Sequence, residues 1–336
     1  MKLLFLIMMV FCCAKIQGAV WEMTDFIWNG EIAACCDKGA VRDPHNFLSS
    51  IYSIKEYGHI KSGNTVWIRS NYVKKFFEKT FPKIQEPFVL VISGEDNSFP
   101  SESGLNSNCL NLLLASKKVI HIFAQNCDKE AGQYKISHLP IGVDFHTIAY
   151  RAPGHWGETG SPSQQEACLK QILQTLEPTY LRKKQAFVDF QHFDSIRYGS
   201  NRRYLKLGED RTTIFNRLLP TGLIEFGEKM KRSSLWKIKG QYAFSISPHG
   251  NGLDCHRTWE DLILGCIVIV KTSPLDPLYV GLPVVIVQDW SEVTAENMDR
   301  WLEEYGDAFT NPSYREKLTN TYWINKIKAE ALPYRK

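Results

Sequence analysis

The chain has no Cys-x-x-Cys pair, no Asp-x-Asp pair, and no Asn-x-Ser/Thr acceptor except one interrupted by proline. The first absence, with histidines scattered singly, leaves no ligand spacing for a structural zinc site. The third gives no hint of N-glycosylation. An excess of one charge is also lacking. Forty Lys and Arg stand against 36 Asp and Glu, a net +4 over 336 residues, with the cations spread along the chain. That balance argues against nucleic acid as the main partner. No internal repeat or low-complexity segment interrupts the sequence.

What is present describes a globular chain behind an N-terminal address. Lys2, the apolar run Leu3–Cys13 and a short polar stretch ending near Gly18 read as a secretory signal over residues 1–18. The run is too short to span a bilayer comfortably. The expected location is therefore the secretory-pathway lumen, the periplasm or the exterior. An uncleaved anchor is the competing reading, and only that one implies membrane association. A lipoprotein signal fits less well, because Val10 and Phe11 precede Cys12. Setting aside Cys12 and Cys13 leaves Cys35, Cys36, Cys109, Cys127, Cys168, Cys255 and Cys266, an odd number. At least one thiol stays unbridged; Cys35 with Cys36, or Cys109 with Cys127, could form bridges, and Cys266 reads as a core residue. An apolar share of 44% and a charged share of 23% are those of a globular chain and give no sign of disorder. The length corresponds to about two domains of roughly 150 residues.

Apolar strand-like runs alternate with helical periodicity along the chain. In the first half the expected strands are Thr65–Arg69, Phe88–Ser93, Lys118–Phe123 and Ile136–Ile141, and the helices Asn71–Phe81, Leu110–Ser116 and Gln164–Leu176. A second series runs from strand Gln185–Phe190 through helix Arg211–Leu219 to strands Tyr242–Ile246, Cys266–Val270 and Pro283–Val287. Helices over Thr294–Tyr305 and Tyr314–Ala331 complete it. This order predicts an α/β protein with two parallel sheets, one in residues 19–181 and one in residues 182–336, and ligands outside the carboxyl ends of the strands.

Phe244–Tyr279 is the most informative stretch. A β-forming run is broken by Pro248, Gly250 and Gly252. Leu253, Trp259, Leu262 and Ile263 then recur at helical intervals as far as Gly265, and the buried run Cys266–Val270 follows. Glycines ahead of a helix let a phosphate approach backbone N–H groups at the positive end of the helix dipole. His256, Arg257 and Glu260 fall on neighbouring faces of that helix. The guanidinium suits a diphosphate and the carboxylate suits ribose hydroxyls; an exposed Arg257–Glu260 salt bridge is the plainer alternative.

Phe244–Val270 resembles the nucleotide-sugar-binding segment of exostosin-like glycosyltransferases, in which P-x-G, R-x-x-E-x-L and G-C-I-P-V-I follow in order. The matching residues are Pro248 and Gly250, then Arg257, Glu260 and Leu262, then Gly265, Cys266 and Ile267; Val268 replaces the usual proline and His249 a frequent arginine. The resemblance implies two facing Rossmann-like domains of the GT-B type. It also implies a nucleotide-sugar donor, a glycan or glycoconjugate acceptor, and no cofactor or metal beyond the donor itself.

Transfer needs cations or N–H donors where charge grows on the departing diphosphate. The candidate donor-binding residues are Arg202, Arg203, Ser247, His249, Gly250, Asn251, Arg257, Glu260, Lys271 and Thr272. The acceptor hydroxyl must lose a proton, for which Asp144 and His146, just after a β-forming segment, are the candidate catalytic pair; Glu95 and Asp96 come next. For each carboxylate a turn or capping role is the plainer reading. A non-catalytic nucleotide-sugar- or carbohydrate-binding protein of the same fold is the alternative function. A glycoside hydrolase would need two opposed carboxylates.

Overall fold

The computed structural model describes residues 23–39, 51–129, 135–150, 154, 156–190 and 211–335. The expected leader over 1–18, and Arg202 and Arg203, lie outside the described residues.

Two parallel sheets form as expected. The first contains β1 (Asn64–Arg69), β2 (Phe88–Ser93), β3 (Val119–Ala124) and β4 (Ile136–His138), neighbours in that order. The second contains β5 (Lys183–Val188), β6 (Ile224–Phe226), β7 (Tyr242–Ile246), β8 (Ile267–Lys271) and β9 (Val284–Val287), in spatial order β6-β5-β7-β8-β9. Every residue of β2 and β7 is buried. That is why these strands read as continuous apolar runs: a parallel sheet is covered on both faces. The chain leaves β5 for β6 on one side and returns to β7 on the other. The carboxyl ends of β5 and β7 therefore flank a point where the strand order reverses, the place at which such sheets open a crevice.

The helices are α1 (Asn29–Ala34), α2 (Val73–Lys79), α3 (Ser107–Ala115), α4 (His146–Tyr150), α5 (Pro162–Leu173), α6 (Arg211–Leu218), α7 (Arg232–Lys239), α8 (His256–Ile263), α9 (Ala295–Tyr305), α10 (Pro312–Lys317) and α11 (Asn320–Ala331). Helix α5 starts where its chemistry says it should: Ser161 and Gln164 form a capping box and Pro162 follows the cap. The single helix expected over Tyr314–Ala331 is two, because the Thr319 side chain accepts from the Tyr322 N–H and starts a new N-terminus. Helix α7 has no counterpart among the expected elements. Its eight residues, RSSLWKIK, are too few and too polar to show a clear period.

The two halves are not closed off at residue 181. The last helix, α11, was expected with the second sheet but packs on β1, β2, β3 and α1; α5, expected with the first, packs on α7. Asn320 ties the chain ends together. Its side chain accepts from Trp28 N (3.1 Å) and donates to the carbonyls of Thr24 (2.9 Å) and Phe26 (2.8 Å) while fully buried. No disulfide links the described cysteines, so neither of the two possible bridges is present among them. Among the described residues no helix is long and apolar enough to cross a membrane.

Asn320→Ala leaves a buried N–H and two buried carbonyls without these partners. We expect a loss of roughly 2–4 kcal/mol in denaturant unfolding; a change under 0.5 kcal/mol would show that water replaces the side chain.

Candidate active site

Asp189 and Phe190 follow β5, and Ser247–Asn251 follow β7, at the two sides of the strand-order reversal. Arg257, in the first turn of α8, reaches into this corner. Its Nε lies 2.8 Å from Asp189 Oδ1, Nη1 donates to Ser247 Oγ (3.2 Å) and Pro248 O (3.4 Å), and its guanidinium sits 5.7 Å from the Phe190 ring. Arg211, from α6, lies 5.6 Å from the same ring and donates twice to His249 O, at 3.0 and 2.6 Å. Two guanidiniums thus lie against one aromatic ring at the carboxyl edge of the sheet. Beneath them Lys239 pairs with Asp189 (2.9 Å) and Asp261 (2.6 Å), and Ser245 donates to Asp261. Burial would raise the Asp189 carboxyl, but Lys239 and Arg257 hold it below its ordinary value; Asp261, more deeply placed, is pushed up to about 6 by burial against the pull of Lys239.

The other wall comes from the segment after β4. Residues 141–143 pair with residues 27–29: Asn29 N donates to Ile141 O (3.1 Å) and Val143 N to Ile27 O (2.8 Å). Gly142 stands at φ 72°, where a Cβ would come within 2.2 Å of Ile27 O, so only glycine allows this close approach. The segment then presents Asp144 and His146. Asp144 Oδ1 accepts from Thr147 N (2.9 Å) and lies 3.0 Å from His146 Nδ1, while Oδ2 lies 2.9 Å from Arg232 Nη2. The Asp144 carboxylate therefore lies against the His146 ring as an ion-pair partner.

Helices α7 and α8 bring the two walls together. Arg232 Nη1 donates to Asp144 O (2.7 Å) and Glu260 Oε1 (3.0 Å); Glu260 also accepts from the Trp236 indole (3.0 Å) and from Asp144 N (3.3 Å). His256 Nδ1 donates to Gly142 O (2.7 Å), and the His146 and His256 ring centres are 5.2 Å apart. Two residues before His256, Asp254 accepts from Ile141 N (2.7 Å) and from Trp259 Nε1 (2.9 Å), and Asp254 N donates to Asn126 Oδ1 (2.8 Å). Burial pushes the Asp254 carboxyl up to about 6 in spite of these donors. Burial acts upward on Asp144 as well, but the Arg232 guanidinium, then His146 and His256, hold it well below the usual carboxylate range.

Several expectations need correction. Helix α8 does not carry an accessible polar face at Glu260: its side chain is 8% exposed and both oxygens are occupied by Arg232 and Trp236. An exposed Arg257–Glu260 bridge is absent too, since Arg257 pairs with Asp189 and Glu260 with Arg232. Asp144 is held ionised, with the Arg232 guanidinium outweighing burial, which makes it a weak proton acceptor. His249 is buried with Nδ1 donating to Leu253 O (2.6 Å), and Ser247 Oγ lies 2.8 Å from Thr258 Oγ1, so both side chains hold the turn. A Cβ at Gly252 would meet Asn126 Nδ2 at 2.8 Å, so that glycine serves the contact between the two halves. Gly250 and exposed Asn251 remain at the rim. Lys271 is half-buried at the end of β8, while Thr272 donates to Asp276 (2.7 Å) and closes a turn. Of the second-choice carboxylates, Glu95 pairs with Arg69. Arg211, Asp189, Arg232 and Trp236 were missed. Asp189, directly after an apolar strand, carried a positional signal; Arg232 and Trp236 lay in the unrecognised α7.

Asp144, His146 and His256 place one possible ligand atom each within 4.8 Å of one another. A 320 Å³ pocket lined by Ile54, Tyr57, Thr80 and Ile84 lies elsewhere, on the first half.

No family model matches the chain, and no curated protein sequence matches it. Among solved structures it is similar to a UDP-forming α,α-trehalose-phosphate synthase from Burkholderia xenovorans in complex with glucose-6-phosphate, at 12% identity and TM-score 0.42, covering 85% of this chain and 81% of that one. A trehalose-6-phosphate synthase from Burkholderia multivorans matches at 12% and 0.38, covering 86% and 79%. A sucrose-phosphate synthase from Thermosynechococcus elongatus matches at 11% and 0.36, covering 89% and 80%.

Arg232→Gln leaves buried carboxylates unpaired and is expected to cost about 3–5 kcal/mol at pH 7. In the wild type the depressed Asp144 contributes stability that is complete above its unfolded value of about 4 and fades only as pH falls through the lower native value. In the variant burial dominates at Asp144, so stability should rise as pH falls from 7 toward 5. Urea unfolding at both pH values checks the sign.

Proposed function

We propose that the chain is a glycosyltransferase of the exostosin-like kind, moving a sugar from a nucleotide-sugar donor to a hydroxyl of a glycan or glycoconjugate. The observation that carries this reading is the juxtaposition of a guanidinium corner at the β5/β7 reversal with an Asp144–His146 pair on the facing segment. Arg257, held in place by Asp189, and Arg211 beside it meet the donor diphosphate, with the Gly250–Asn251 turn at the rim. Arg202 and Arg203, between Phe190 and Arg211 in sequence, and Lys271 are further candidate cations. As the anomeric C–O bond breaks, charge grows on the leaving diphosphate, and preorganised guanidiniums stabilise it without a metal.

His146 is the base in this reading. The imidazole takes the acceptor proton, and ionised Asp144, 3.0 Å from Nδ1, stabilises the imidazolium that forms. Glu260 organises the site from behind and does not touch ribose. The leader-like N-terminus supports a secretory or envelope setting.

Thermal stabilisation by UDP, GDP, CMP and their sugars, with and without chelator, tests the donor assignment. One nucleotide class should raise the melting temperature irrespective of chelator, and Arg257→Gln should remove most of that shift. His146→Ala should keep the shift and lower kcat by about 10²–10⁴-fold. No shift with any nucleotide would favour a carbohydrate-binding protein of the same fold.

A further inference from the structure

His256 lies beside both groups used above and belongs to neither. It is the first residue of α8, immediately before Arg257, yet its Nδ1 reaches across to Gly142 O at 2.7 Å. A carbonyl only accepts, so this contact fixes the tautomer with the proton on Nδ1. Gly142 is the residue on which the catalytic segment turns, two before Asp144 and four before His146. One helical turn further along α8, Glu260 Oε1 accepts the Asp144 N–H at 3.3 Å. Helix α8 thus grips the base-bearing segment at two backbone points, and the next residue on its first turn carries the guanidinium assigned to the donor.

We propose that His256 is a positioning residue that couples occupancy of the donor corner to the placement of His146. The inference rests on the transferase reading. A ligand pulling on Arg257 displaces the first turn of α8, and the short, part-buried Nδ1–H···O bond passes that displacement to Gly142. The link is a hydrogen bond to backbone, so it needs a donor of the right reach at position 256 and not an imidazole as such. Asparagine supplies one, with its amide nitrogen standing in for Nδ1; alanine does not. Because the imidazole ring lies 5.2 Å from that of His146, loss of His256 also opens space beside the base.

The test compares wild type, His256→Ala and His256→Asn in three readouts. Hydrogen exchange of the peptide spanning residues 142–149 should speed up at least fivefold in the alanine variant and return most of the way in the asparagine variant. The nucleotide found by the thermal panel should slow exchange of that peptide in wild type and lose this effect in His256→Ala. Nucleotide Kd should stay within about threefold in both variants, while kcat falls at least tenfold in His256→Ala with an altered pH profile, and is largely rescued in His256→Asn. Unchanged exchange in His256→Ala, an asparagine variant no better than alanine, or a loss confined to Kd would overturn the proposal. If wild type responds to no nucleotide while the exchange pattern and its rescue hold, the transferase reading fails, and with it the coupling to donor, but the mechanical link from α8 to Gly142 stands.

Discussion

One buried guanidinium holds the centre of this molecule. Arg232, 5% exposed at its side chain, lies between Asp144 on the segment after β4 and Glu260 on α8, within 3.0 Å of each. Taking three charges out of water is costly, and an isolated buried pair often contributes little net stability. Here each carboxylate has further donors: Thr147 N for Asp144, the Trp236 indole and the Asp144 N–H for Glu260. A buried network satisfied in this way has essentially one geometry, because any slip leaves an unpaired charge in a low-dielectric interior. Its yield is placement: two segments from different sheets are held in one register.

The second charged cluster follows the same logic and serves a different end. Lys239 compensates Asp189 and Asp261 from below, and Asp189 in turn grips Arg257. Arg257 is therefore oriented before any ligand arrives, which lowers the ordering cost of binding. Helix α7 supplies both central cations, Arg232 at its start and Lys239 at its end. A helix of eight residues thus serves both walls of the site.

Where local signals were strong, they were reliable. β2 runs over the expected Phe88–Ser93, because an unbroken apolar run of six residues has few other uses in an α/β chain. The glycine-broken stretch before Arg257 did mark the β5/β7 edge, and Asp144 and His146 did come together. The readings that changed were those about what a polar side chain faces. Glu260 has the same sequence spacing whether it points to solvent or to Arg232, and the partner that decides the matter is 28 residues away. Gly252 reads as phosphate-binding from its neighbours, yet the group it packs against is the Asn126 amide.

By itself the sequence determined the α/β alternation, the buried strands, and the one short segment where glycine, arginine and helix meet. It did so because periodicity and chain stiffness act over a few residues. The tertiary structure decided which carboxylate is paired and with what. It also decided that the final helix returns to the first sheet and that His256 reaches Gly142. These outcomes depend on contacts between residues distant in sequence, from 28 positions for Arg232 and Glu260 to 114 for His256 and Gly142 and 116 for Asp144 N and Glu260. Burial sets the energetic weight of such contacts, and burial is a property of the packed molecule and not of its neighbours in sequence.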